Sequence, residues 1–213
     1  MLKLSRLREP VNFITHFIPA LLSIPAGIYL FSLSDTLLEQ SASMIYTLCM
    51  ISMFGVSAIY HGFPSTEYGI RFWQKFDHCC IYLMIAGTYT PTALLIFDGW
   101  ISVALACLVW VIALIGCILK IKNKLKNELL SILIYILMGC LILPLLHKMF
   151  TVLPLAAVVW LVLGGVFYVW GTWFYAKDKP LFKYLHSHEL WHFFVIFGAL
   201  SHYIYTVYIF KAI

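Results

Sequence analysis

His188 and His192 stand four residues apart at the head of a long apolar run, KYLHSHELWHFFVIFGALSHYIYTVY, over 183–208. If the run is a helix, both imidazoles lie on one face about one turn apart. Its length and apolarity fit a helix crossing a bilayer. Ionisable groups at such a position are costly unless paired or bound, and two imidazoles at helical spacing suit a metal. The remaining parts of a site must come from elsewhere in the chain. His61 closes another apolar run, Ser57 lies four residues before it, and Asp77 opens a third. Three imidazoles with an open fourth position describe a catalytic zinc site, where zinc brings a bound water to a pKa of about 7. Asp77 fits either of two roles: a fourth ligand, or an acceptor beside the metal that holds the water and acts as base. Ser57 could donate to that carboxylate or to an oxygen developing charge on a substrate. Asp77 and Ser57 are thus the candidate catalytic residues, and His61, His188 and His192 the candidate metal ligands.

Whether these residues meet depends on the elements that carry them. Of the 213 residues 63% are hydrophobic and 11% charged, and the mean hydropathy is +0.94. Soluble domains have about 45–50% apolar and about 25% charged residues. The apolar residues come in long blocks, and the short alternating segments of a β-barrel are absent. The expected fold is all-α, a single polytopic domain over residues 1–213. Seven spans are expected, at about 11–33, 42–61, 75–97, 100–119, 129–146, 152–174 and 186–210. Pro19 and Pro25 interrupt the first, which membrane helices tolerate. The N-terminal segment lacks a small-residue cleavage site and reads as leading into a retained first helix.

Charge placement orients the bundle. With seven spans, one side receives Lys3, Arg6, Arg8, Arg71, Lys75, the four lysines Lys120, Lys122, Lys124 and Lys126, and Lys177, Lys179 and Lys183. The other side receives Lys148 and Lys211, completing the 14 basic residues. The positive-inside rule then puts the N-terminus in the cytoplasm and the C-terminus outside. Span parity brings His61, Asp77, His188 and His192 to one level, near the cytoplasmic end. An exposed basic patch interleaved with aromatics is absent, which excludes nucleic acid as a partner. The cysteines Cys49, Cys79, Cys80, Cys107, Cys117 and Cys140 make no CxxC pair and read as small buried hydrophobes.

Other polar residues have plainer readings. His147 suits an interface anchor or helix cap, and His16 with Asn12 suits a polar lock between helices, with an outer contact to the site open. His202 lies ten residues beyond His192, about 15 Å deeper, too far for the same metal; it is expected to hydrogen-bond across the core or line a cavity. His78 points away from Asp77, His186 suits the surface, and Glu189, about 100° round from His188, is a weak ligand. Ser57 could equally be a small helix-packing residue.

Four motifs together resemble one known family: EPVNFITH at Glu9–His16, SAIYH at Ser57–His61, FDHCCIYLMIAGTYTP at Phe76–Pro91, and HSHELWH at His186–His192. In this order and at these depths the chain resembles the bacterial hemolysin III family, within the progestin and adipoQ receptor superfamily. The resemblance covers nearly the whole chain. It implies seven helices with an inside N-terminus in the bacterial cytoplasmic (inner) membrane. It also implies a zinc on His61, His188 and His192, with Asp77 holding the zinc-bound water and Ser57 supporting it. The long N-terminal domain of the animal receptors is missing, which weakens an inference of hormone binding. The expected function is zinc-dependent, ceramidase-like hydrolysis of a membrane lipid amide or ester. The alternative is a hemolysin III-type receptor or channel-like protein in which zinc is structural. A secreted pore-former fits poorly with a chain hydrophobic throughout. A membrane lipid is the expected partner, as substrate or ligand, and a homo-oligomer stays open.

Overall fold

The computed structural model describes residues 7–63, 65–177, 180–182 and 185–213. Lys3, Arg6, Lys179 and Lys183, used above in the charge pattern, lie outside them. The helices are α1 (Pro10–Ser32), α2 (Leu37–Gly62), α3 (Glu67–Ile96), α4 (Gly99–Ile121), α5 (Glu128–Cys140), α6 (Leu146–Val152), α7 (Leu155–Lys177) and α8 (Ser187–Ala212). With α5 and α6 counted as one broken span, seven segments among the described residues are long and apolar enough to cross a membrane. A short antiparallel pair, β1 (Pro180–Phe182) with β2 (Leu185–His186), leads into α8.

The helix starts follow local chemistry. Pro10 stands at the first position of α1, where its missing N–H costs nothing. Thr36 and Glu39 form a reciprocal capping box at α2. Thr66 Oγ1 accepts from Gly69 N at 3.1 Å at α3, and Asn127 Oδ1 from Leu130 N at 3.1 Å at α5. These caps explain where the elements depart from the hydropathy reading. α2 begins at Leu37 and α3 at Glu67, both ahead of their apolar blocks, because capped helices continue past the apolar layer. The early turn of α3 is also braced by Arg71 on Glu67 at 2.8 Å. α1 runs unbroken through Pro19 and Pro25. The fifth span instead breaks at Pro144, which sits in a 3-10 turn, Leu143–Leu145, ahead of α6. Proline removes a donor and clashes with the preceding turn.

α3 is the most buried span. It packs on α2, α4, α5 and α8, while α8 also packs on α7 and α1. One apolar core lies among α3, α4, α5, α7 and α8 and includes Tyr82, Val109, Met138 and Tyr205. A second lies among α1, α2, α3 and α8 and includes Leu30, Tyr46 and Phe54. Gly87 lets α3 close on Cys49 of α2, since a Cβ there would stand 2.6 Å from the cysteine Cβ. Exposed Leu22, Ile28, Val103, Val111, Leu133 and Val159 give the bundle the apolar outer surface that lipid requires. The starts of α1, α3, α5 and α8 and the ends of α2, α4 and α7 share one end of the bundle. Lys75 Nζ reaches Ile121 O there at 3.4 Å, and His61 reaches His188.

Candidate metal centre

His61 sits on the last turn of α2, and His188 and His192 on the first two turns of α8. One donor atom from each lies within 4.8 Å of the other two. His61 and His192 are 2% and 1% exposed, and His188 is half-buried. The ring centroids of His61 stand 5.1 Å from His188 and 4.8 Å from His192, and those of His188 and His192 stand 4.9 Å apart.

Hydrogen bonds behind the rings set their tautomers. His61 Nδ1 is 2.5 Å from Glu9 Oε2. An ionised carboxylate only accepts, so Nδ1 carries the proton and Nε2 keeps its lone pair. His192 Nδ1 is 3.0 Å from Thr15 Oγ1, which itself donates to Asn12 O at 3.0 Å. The threonine proton is thus used, so His192 Nδ1–H donates to it and His192 Nε2 is also bare. His61 Nε2 faces His188 Nε2 at 3.3 Å. Metal–nitrogen bonds of about 2.0–2.1 Å in a tetrahedron put ligand nitrogens about 3.3–3.4 Å apart, so the spacing fits a zinc-sized ion. The donor set fits as well: neutral imidazoles whose other nitrogens are held by a carboxylate and a hydroxyl are the usual way a protein orients metal-binding histidines.

Glu9 is placed by the backbone. Glu9 N donates to His61 O at 3.0 Å and Arg8 N to Gly62 O at 3.2 Å, which pins the segment before α1 along the end of α2. The carboxylate also accepts from Asn12 Nδ2 at 3.0 Å and pairs with Arg8 at 3.1 Å, and the guanidinium lies over Tyr60, 4.5 Å from its centroid. Burial works to raise the Glu9 carboxyl, but the hydrogen bonds from His61 and Asn12 and the Arg8 guanidinium hold it below the usual carboxylate range.

His16 is more than a lock on Asn12. Its ring stacks on His192, with centroids 3.7 Å apart and planes within 10°, and its Nδ1 lies 2.7 Å from Ser57 Oγ. Its Nε2 is buried with no hydrogen-bond partner among the described residues. Ser57 is buried one turn before His61 and lines the same cavity as Asp77. Asp77 is half-buried and lines the cavity beside the histidines together with Ser57 and Tyr60; it is not one of the three residues whose donor atoms cluster.

The remaining polar residues find other partners. His78 also lines the cavity but is engaged elsewhere, with Nδ1 2.6 Å from Gln74 O and Nε2 3.3 Å from both Glu128 and Tyr175. Glu189 accepts from His186 N at 2.8 Å and so caps α8. His147 is exposed, 3.3 Å from Pro144 O. His202 both bonds across the core and lines the cavity. All six cysteines are free. Glu9 and Thr15, which orient two of the three rings, had no role in the sequence reading. The available signal was a lone acid in a basic segment, near a threonine one residue before His16.

Seven apolar helices with a buried trihistidine cluster at one end define a polytopic membrane protein with a potential metal site. The sequence adds the family: residues 4–203 match the model of haemolysin-III-related proteins, and the chain belongs to that family. It is 35% identical to hemolysin-3 of Bacillus cereus over 90% of this chain and 86% of the relative. It is 26% identical to the human monocyte to macrophage differentiation factor over 90% and 80% of the two chains. It is 23% identical to the adiponectin receptor protein of Drosophila melanogaster over 92% of this chain and 49% of that one. These likenesses relate it to the progestin and adipoQ receptor superfamily. The chain is a multi-pass protein of the bacterial cytoplasmic membrane.

Proposed function

We propose that this protein is a zinc-dependent hydrolase of a membrane lipid amide or ester, built as one domain with its N-terminus and histidine end in the cytoplasm. The observation that carries the reading is a cavity of about 460 Å³ that starts at His188, His192 and Asp77 and runs up the bundle between α3, α5, α7 and α8. Its wall is mostly apolar, as an acyl chain requires. Val162, Val166 and Trp170 on α7 and Leu143 after α5 line it and are also exposed on the outer surface, which supports sideways entry of a lipid.

His61, His188 and His192 would hold the zinc, which when bound supplies a Lewis acid for the carbonyl and acidifies a water. Asp77 would take a proton from the attacking water and return it to the leaving nitrogen or oxygen, so that an amide yields acid and amine. Ser57 would position Asp77 while itself being oriented by His16. Glu9 and Thr15 would keep the Nε2 atoms of His61 and His192 aimed at the metal.

A second reading keeps the metal without turnover, as a tie in a receptor or channel-like protein. It is favoured by the way the cluster fastens α1, α2 and α8 through Glu9–His61 and Thr15–His192. The two separate on Asp77→Asn in liposomes, with lipid products read by mass spectrometry at measured zinc occupancy. Hydrolysis by wild type that collapses in the variant at equal zinc supports the enzyme. No product from wild type across ceramides and common phospholipids, at full zinc, removes it and leaves the tie.

A further inference from the structure

The same cavity holds a second built feature, and its meaning rests on the reading that a lipid seats its acyl carbonyl at the trihistidine cluster. His202 lies ten residues beyond His192 on α8, about 15 Å up the bundle, and its ring lines the cavity. Its Nε2 is 3.1 Å from Leu161 O of α7. A carbonyl only accepts, so Nε2 carries the proton; the neutral imidazole has no second proton, and Nδ1 is a bare acceptor. Nδ1 has no partner among the described residues, and it is not one of the buried atoms sealed from space. The ring cannot easily turn away. A Cβ on Gly164 would stand 2.1 Å from His202 Cδ2, so the imidazole is pressed against bare backbone, and Tyr168 flanks it at 5.4 Å between centroids.

The hydroxyls of Thr88, Tyr89 and Thr92, which line the cavity, are already engaged: Thr92 and Tyr205 share a hydrogen bond at 2.9 Å, Tyr89 donates to Gly139 O at 2.8 Å, and Thr88 donates to Met84 O at 2.9 Å. The Tyr168 hydroxyl makes no hydrogen bond to the His202 ring. An acceptor held open to an apolar lumen at mid-bilayer is unfavourable unless something donates to it.

We propose that the cavity selects lipids whose acyl chain carries a hydroxyl far from the carbonyl, with His202 Nδ1 accepting from that hydroxyl. The experiment is displacement of a fluorescent fatty acid from the zinc-loaded protein in nanodiscs by octadecanoic, 12-hydroxyoctadecanoic, 12-methoxyoctadecanoic and 2-hydroxyoctadecanoic acids. The 12-hydroxy acid should bind about 3- to 10-fold tighter than octadecanoic acid, the worth of one net hydrogen bond. The 12-methoxy acid, similar in shape but without the proton, should lose that gain, and the 2-hydroxy acid should show no gain that depends on His202. His202→Leu should abolish the 12-hydroxy preference, so that the affinity ratio of the 12-hydroxy to the plain acid falls to about one, with zinc content retained. Equal binding of the 12-hydroxy, 12-methoxy and plain acids to wild type overturns the inference and leaves the lipid reading standing, whether or not the variant folds. A preference that survives in His202→Leu assigns the acceptor elsewhere and overturns it too. Failure of all four acids to displace the probe overturns both.

Discussion

At the start of α8, His188 and His192 share their space with His61, His16, Glu9 and Thr15; about 15 Å further along the same helix, His202 has one carbonyl, a glycine seat and a lumen. The first setting turns lone pairs inward to a common point and closes around it. The second turns one lone pair outward and leaves space in front. A closed ring of acceptors suits a small cation, whereas a single acceptor on a cavity wall suits one donor on a larger ligand. Residue type is the same in both; what differs is which nitrogen the second partner occupies and how much room remains.

The largest effect is expected from replacing His61, His188 and His192 together with alanine. Zinc measured by elemental analysis on purified protein should fall from about one per chain to background, while His202→Leu keeps its zinc. Asp77→Asn comes next: lipid turnover should drop about 10²–10⁴-fold, as for a lost acid–base group, with zinc largely retained. Glu9→Gln leaves every candidate ligand in place but removes the charge behind His61, so zinc affinity in competition with a chelator should weaken about 10–100-fold. An unchanged affinity would reduce Glu9 to a structural brace. The smallest effect is expected at the deep level. Gly164→Ala forces the His202 ring to move, at a cost of about 1–3 kcal/mol, the usual range for overpacking, read as a lower melting temperature with zinc content intact.

Much of the architecture is written in local composition. Apolar blocks long enough for a bilayer, separated by charged or turn-forming segments, imply seven crossing helices because transfer into lipid is close to additive along the chain. The capping signals at Thr36–Glu39 and Thr66 are also written in the sequence, but hydropathy alone starts α2 and α3 later than the caps do. The spacing of His188 and His192 implies one helical face, and parity implies that His61 and Asp77 stand at the same level.

Contacts between distant side chains belong to the tertiary structure alone. His61 meets Glu9 across 52 positions and His192 meets Thr15 across 177, and these pairs decide which nitrogen of each ring is free. Pattern cannot supply that, because a periodicity gives the face a residue occupies and not the partner that packs against it. The stacking of His16 on His192, the bond of His16 to Ser57 and the cavity that runs to His202 likewise arise from how α1, α2, α3, α7 and α8 close on one another. By itself the sequence determined seven spans and a level at which histidines could gather, since both follow from hydrophobic length and helical pitch. Only packing decided which lone pairs point at one another and which points into open space, since that depends on side chains brought within a few ångströms from opposite ends of the chain.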